Sequence, residues 1–372
     1  MLAAMRRASS RVRRCAAPRR SVDPRQRLPA HGEKMLAYKA EQRLGTGETM
    51  RRREFIALMG ASVAWPFAAM AQQAGRSYRL GCLLPPPRDN PANMAFFDEL
   101  RRRGFIEGQN LTVEYRAYAQ HVDLIPQYAT ELVNARVDVI VTSGDEAVRI
   151  VQQATKTIPI IAIVGDMVGS GLVNSLARPD GNTTGVSILV FEAEGKRQDL
   201  LIEAVPGLRL MAVLIDASYT KTAKLDVLQD AARKHNVEFS IHRVARGEEI
   251  APAIDSAQAS GATALNTISS PLFYAYRHVI MERAAAAHLP TIYEFPESAE
   301  EGGFAAYGPR LSELFLEIMP RQVVQLFRGT KVADIPVEQA SKFELVINLK
   351  TAKAMGVTVP EALLVRADKV IE

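Results

Sequence analysis

Ser143-Gly144-Asp145 is the segment of this sequence best equipped to hold a charged small molecule. Gly144 lets another molecule approach the backbone. A helical pattern starts directly after it, so the N–H groups of that helix start favour an anion such as a carboxylate. Asp145 has the opposite preference, because a carboxylate repels an acid and attracts an amine; Asp is also an ordinary N-cap residue. Asp166 follows a fully apolar run and offers a second amine partner, with a solvated loop acid as the plainer reading. Ser269-Ser270 opens another helical stretch and can take a carboxylate in the same way, while Glu294 can meet a ligand cation or a Lys or Arg of the chain. Tyr219, Phe273, Tyr274 and Tyr307 present ring faces that stack on an aromatic ligand or pack at a lobe surface.

These residue types suit binding, and patterns for catalysis are missing. No Gly-x-Gly-x-x-Gly follows a strand, and the P-loop, Gly-x-Ser-x-Gly and His-Glu-x-x-His patterns do not occur. His121, His235, His242, His278 and His288 are scattered and have no metal-ligand spacing with Cys. The sequence therefore predicts a binding protein with no cofactor, not an enzyme. Cys82 lies inside a predicted strand, far from Cys15 in the basic N-terminal arm, and reads as a small core residue.

The candidate residues recur at one kind of place, the exits of apolar runs. Tyr78–Leu84 stops at Pro85-Pro86-Pro87, and the loop continues to Asn93. A helical pattern with Met94, Phe97 and Leu100 follows, ending at Gly104. Leu111–Tyr115 alternates as a strand, Leu124–Ala135 repeats as a helix, Val137–Thr142 is a continuous β-branched run, Glu146–Ala154 is helical and Ile158–Val164 is apolar throughout. Continuous apolar strands between amphipathic helices mean parallel sheets covered on both faces. The Asp180-Gly181-Asn182 turn and Gly185-Val186-Ser187 end this unit. A second one runs through Glu192–Val205, Arg209–Ile215, Ala223–His235, Val237–Arg243, Ile250–Ser260, Thr263–Thr267, a helix over Tyr274–Ala287 and Thr291–Glu294. The fold class is α/β, two doubly wound parallel-sheet lobes. In such sheets ligands bind beyond the carboxyl ends of strands, which is where Ser143, Asp166, Ser269 and Glu294 fall.

The N-terminal end reads differently. From Met50 the chain has Arg51-Arg52-Arg53, an apolar run from Phe55, and a small-x-small ending at Ala69-Met70-Ala71, the three parts of a secretory signal cleaved after Ala71. Arg52-Arg53-Glu54-Phe55-Ile56 is similar to the bacterial twin-arginine signal, with Arg51 where that signal has Ser or Thr. Residues 1–49 read as a disordered extension upstream of the true start. Of the 46 Lys+Arg and 41 Asp+Glu, 15 and 5 precede Gln72, so residues 72–372 hold 31 against 36, a net −5. The basic balance belongs to the removed end and implies no nucleic-acid partner for the exported protein.

Three blocks of this chain resemble the solute-binding proteins of ABC importers of the tryptophan-binding type. They are Gly104 to Leu111 (GFIEGQNL), Ser175 to Ser187 (SLARPDGNTTGVS), and Ile335 to Ala354 continuing through Met355-Gly356-Val357-Thr358-Val359-Pro360 to Leu364-Val365-Arg366-Ala367-Asp368. The resemblance covers residues 72–372. It implies the type I periplasmic binding fold, with crossings near 187–190, 303 and 330. Lobe 1 is then 76–188 plus 303–330, and lobe 2 is 189–302 plus 331–372. It further implies a periplasmic monomer that delivers an amino acid or aromatic compound to an ABC permease. The alternative is a subunit that presents its closed state to a sensor kinase or chemoreceptor, and an exported hydrolase on the same fold is a third reading. Relatives carry a small residue or Thr at the position of Asp145, so the usual acidic ligand group does not transfer directly.

Overall fold

The computed structural model describes residues 76–217 and 225–372. The signal segment, the upstream extension and Tyr219 lie outside these residues. In chain order the strands are β1 Tyr78–Leu84, β2 Leu111–Ala117, β3 Val139–Ser143, β4 Ile160–Val164, β5 Thr183–Ser187, β6 Leu210–Asp216, β7 Glu238–Val244, β8 Leu265–Thr267 and β9 Thr291–Tyr293. They continue with β10 Ala305–Gly308, β11 Glu338–Gln339, β12 Glu344–Asn348 and β13 Lys369–Ile371. They form two sheets, β11-β5-β4-β3-β1-β2 and β13-β12-β10-β9-β8-β6-β7. Every pairing is parallel except β10 with β12.

Alternation along each strand explains the layers. In β1, Leu80, Cys82 and Leu84 pack with Phe96 and Leu100 of the helix Pro91–Arg102 and with Leu314, Met319 and Val323. Leu83 points to the other face, among Ile125, Leu132, Ala147 and Val148. Both faces are covered, so β1 reads as an unbroken apolar run. Cys82 is a fully buried core residue, and burial pushes its thiol far up.

The crossings differ from the expected division. Ala305–Gly308 is a strand of the second sheet, not of lobe 1, because it pairs with β9 and β12. Glu338–Gln339 belongs to the first sheet, beside β5. The chain thus passes to the second lobe after Ser187, returns after Gly308 and crosses again between Gln339 and Glu344. The helical segment Leu311–Phe327, on the first lobe, contains a wider π-type turn over Leu314–Ile318.

Gly185, in the segment that ends the first unit, is the middle of β5, at φ +139, where a Cβ would lie 2.0 Å from the Ala162 carbonyl oxygen of β4. Only glycine permits that approach. The helix expected over Tyr274–Ala287 is two, Pro271–Ala275 and Arg277–Ala286, the first started by Pro271 and by Ser270, whose Oγ accepts from the Phe273 N–H at 3.1 Å. Among the described residues no helix is long and apolar enough to cross a membrane.

Candidate functional site

A cavity lies between the two sheets, with about 70 Å³ within reach of the centres of water molecules. The first lobe contributes Leu84, Pro85, Pro86, Asn93, Ser143, Gly144 and Gly165. The second contributes Ser269, Ser270, Pro271, Tyr274, Glu294 and Phe295. Ile188, Val190 and Phe191 of the first crossing close one side, with Leu311 and Phe315 after the second. Six of the candidates named from the sequence therefore share one wall system: Ser143, Gly144, Ser269, Ser270, Tyr274 and Glu294. Tyr274 is the ring among them. It is held edge-on to Phe295 (centroids 5.5 Å, 80°), with the Arg277 guanidinium 4.8 Å above its ring. Arg277 in turn forks onto Glu301 at 2.7 and 3.0 Å.

Gly144 is the N-cap of the helix Asp145–Ala154 at φ +81, a conformation that β-carbons resist. Its own N–H is used by the Ile163 carbonyl at 2.9 Å, and no side chain caps the helix. The next N–H groups are thus the donors this helix start has to offer.

Glu294 follows β9, is 4 % exposed, and has no ion pair among the described residues. Burial pushes its carboxyl up to about 7, although Arg197 pulls it down. Arg197 is fully buried on the helix Glu194–Ala204 and pairs with Glu194 at 2.5 Å. Its Nη2 also donates to the Val190 carbonyl at 3.1 Å and its Nη1 to the Tyr307 carbonyl at 3.5 Å, so one guanidinium touches two crossings. Glu194 accepts from the Ser269 N–H at 2.9 Å, and burial pushes its carboxyl up against the pull of Arg197.

Other candidates fall elsewhere. Asp145 does not line the cavity; its carboxylate accepts from the Ser170 hydroxyl, and burial raises its pKa. Asp166 caps its own turn, accepting from the N–H groups of Val168 (3.1 Å) and Gly169 (2.9 Å). Tyr307 packs with the second-lobe core, its ring centroid 5.9 Å from that of Phe343. Phe273 is 2 % exposed and belongs to that lobe's other core layer.

Sequence reading placed Asn93 only as the end of the loop after β1, and missed Glu194, Arg197, Phe191 and Phe295. Two of these carried a signal. Asn93 occupies the apolar stripe of its helix with Phe96 and Leu100, and Arg197 that of its own with Leu200, Leu201 and Ala204. A polar residue at a core position of a helix needs a partner or a ligand. Among the described residues no group of three His, Cys, Asp or Glu could hold a metal ion.

Two lobes of largely parallel sheet joined by three crossings, with a cavity between strand exits, have the type I periplasmic binding fold. The chain belongs to the ABC transporter substrate binding protein family, whose sequence model matches residues 90–371. It is 26 % identical over 275 residues to the tyrosine-binding protein of Clostridioides difficile (strain R20291), covering 73 % of this chain and 79 % of that one. Solved structures share the fold. A conserved domain protein from Vibrio cholerae superposes with TM-score 0.68 at 23 % identity, over 79 % of this chain and 100 % of the other. The ABC domain from Streptococcus pneumonia in complex with L-Trp gives 0.66 at 24 %, with the same coverages. A ligand-free, open substrate-binding protein with adhesive properties from Clostridium difficile gives 0.52 at 21 %, over 79 % and 99 %.

Proposed function

We propose that this protein is an exported receptor that encloses an aromatic amino acid and hands it to an ABC permease. One observation carries the ligand class: Glu294 is a buried carboxylate without an ion pair in a wall of rings, prolines and hydroxyls. An isolated buried charge costs several kcal/mol, so the site favours a ligand that brings a cation to it. The N–H groups after Gly144 suit the ligand's carboxylate. Phe191, Tyr274, Phe295 and Phe315 suit an aromatic side chain. The relatives named for tyrosine and solved with L-Trp support the same class. Export from the signal at Met50 to Ala71 would place the receptor in the periplasm as a monomer, and closure of the lobes on the ligand would present one form to the permease.

The test is a calorimetric and thermal-shift screen of L-amino acids, of aromatic acids without an ammonium, and of polyamines without a carboxylate. Aromatic amino acids should bind best, and a ligand at 100 times its dissociation constant should add about 2.7 kcal/mol to stability. Equal binding of the aromatic acids or the polyamines would overturn the zwitterion reading.

A further inference from the structure

Asn93 is 1 % exposed, contributes to the cavity wall, and has one side-chain atom left over. Its Nδ2 donates to the Pro87 carbonyl at 2.9 Å and to the Tyr115 hydroxyl at 2.7 Å. The Tyr115 hydroxyl in turn donates to the Pro86 carbonyl at 2.7 Å, so its proton is committed and it can only accept from Asn93. Turning the amide over would set Oδ1 against the Pro87 carbonyl, acceptor to acceptor. The orientation is therefore fixed by the loop, and both amide hydrogens are spent. Oδ1 is buried and has no partner among the described residues. An amide locked by its donors with its acceptor unmatched beside a cavity is arranged to receive a donor from something else.

The fold says which end of a ligand reaches it. The helix Pro91–Arg102, which carries Asn93, packs on the same face of the first sheet as Leu311 and Phe315. The helix Asp145–Ala154 packs on the opposite face, with Leu83 and Ile140. Gly144 and Asn93 thus bound the cavity from opposite sides of the sheet. A ligand whose carboxylate lies at Gly144 directs its side chain toward the apolar end formed by Leu84, Pro86, Leu311 and Phe315, where Asn93 is the polar group.

We propose that Asn93 is a specificity-determining residue. Its Oδ1 accepts a hydrogen bond from an N–H or O–H on the ligand's ring, so the site selects an indole or a phenol over a phenyl group. This rests on the aromatic amino acid reading given above. A phenyl ring leaves the buried oxygen unmatched, and a site built around such a bond discriminates strongly against the analogue that lacks it.

The experiment is calorimetric titration of the purified protein with L-tryptophan, L-tyrosine, L-phenylalanine and 1-methyl-L-tryptophan, which keeps the indole but not its N–H. The donor-bearing member of each pair should bind roughly tenfold to hundredfold more tightly. Asn93→Leu should bring both ratios close to one. A loosened loop would weaken all four ligands together and leave the ratios, so the ratio separates recognition from a structural role. If Asn93→Leu does not fold, Asn93→Ala takes its place: it removes the acceptor without adding apolar bulk and should shrink the same ratios. Equal binding of tyrosine and phenylalanine by the unaltered protein, or unchanged ratios in the variants, would overturn the role of Asn93 and leave the ligand class standing. Binding of a non-aromatic amino acid and none of the four would overturn both.

Discussion

Replacing Glu294 with Gln should stabilise the empty protein while weakening its grip on ligand, and the size of the first effect follows from burial. The carboxyl titrates near 7 in the fold against 4.5 in the unfolded chain, chiefly because it is 4 % exposed. A carboxyl raised on folding costs nothing below the unfolded value, where both states are protonated. The cost grows as pH rises from 4.5 and is complete above 7. That gap, at 1.36 kcal/mol per pH unit, corresponds to about 3 kcal/mol. Glu294→Gln keeps the shape and removes the ionisation, so the variant should gain up to about 3 kcal/mol over the unaltered chain at pH 8 and almost nothing at pH 4.5.

Urea denaturation of both proteins across that range measures the difference, which cancels groups common to the two. Ligand affinity supplies the second reading. If an ammonium meets the Glu294 carboxylate, a proton competes with it, so the affinity of an amino acid for the unaltered protein should rise as pH approaches 7 and level off above. The variant should bind more weakly and lose that dependence. A stability difference that is the same at pH 4.5 and 8, or an affinity unmoved by the substitution, would refute the assignment of Glu294 as the buried charge that meets the ligand.

Two further outcomes are expected. Arg197→Met should lower unfolding free energy by about 3–5 kcal/mol, because it leaves Glu194 buried without its partner; adding Glu194→Gln should restore much of the loss, and a single variant as stable as the parent in denaturant would contradict the buried pairing. N-terminal sequencing of the secreted protein should begin at Gln72, and a product retaining residues 1–49 would count against both the cleavage site and the start at Met50.

What the sequence displayed well was whatever both faces of a sheet imposed on it. β1 was legible to the residue, because Leu80, Leu83 and Leu84 are buried on alternating sides and leave no polar position to blur the run. β5 was not, since Gly185 interrupts it and follows a turn-like Asp-Gly-Asn; the glycine answers to the neighbouring Ala162 backbone, which no local pattern reveals. The site followed the same division. Strand exits are topological, so Ser143, Gly144, Ser269, Ser270 and Glu294 could be found by position alone. Which acid faces the cavity could not. Asp166 turns to the N–H groups of Val168 and Gly169, and Asp145 to Ser170, partners set by how the loop 165–171 folds back. Asn93 and Arg197 are polar residues in apolar helical stripes; each has a local partner, Pro87 and Glu194, and a distant one, Tyr115 and Tyr307, that no local pattern reveals.

The crossings and the candidate site draw on the same small set of groups. Arg197 holds the Val190 and Tyr307 carbonyls, one on each of two crossings. Gly308, at the end of β10, lies so close to Glu294 that a Cβ there would stand 1.8 Å from the Glu294 carbonyl oxygen. Leu189, between those contacts, is in the left-handed region at φ 54, a conformation a branched side chain adopts only when its surroundings impose it. Glu194, Arg197 and Glu294 are all buried there. With both acids ionised the three sum to one uncompensated negative charge in a desolvated crossing region. A single ammonium supplies that balance, and it arrives only when the cleft encloses a ligand that carries one. A ligand without it would close the lobes against the full desolvation cost of Glu294, or with Glu294 protonated. On the proposed function, the charge count around Glu194, Arg197 and Glu294 restates at the crossings the demand that Glu294 makes in the cavity wall, an ammonium on the ligand.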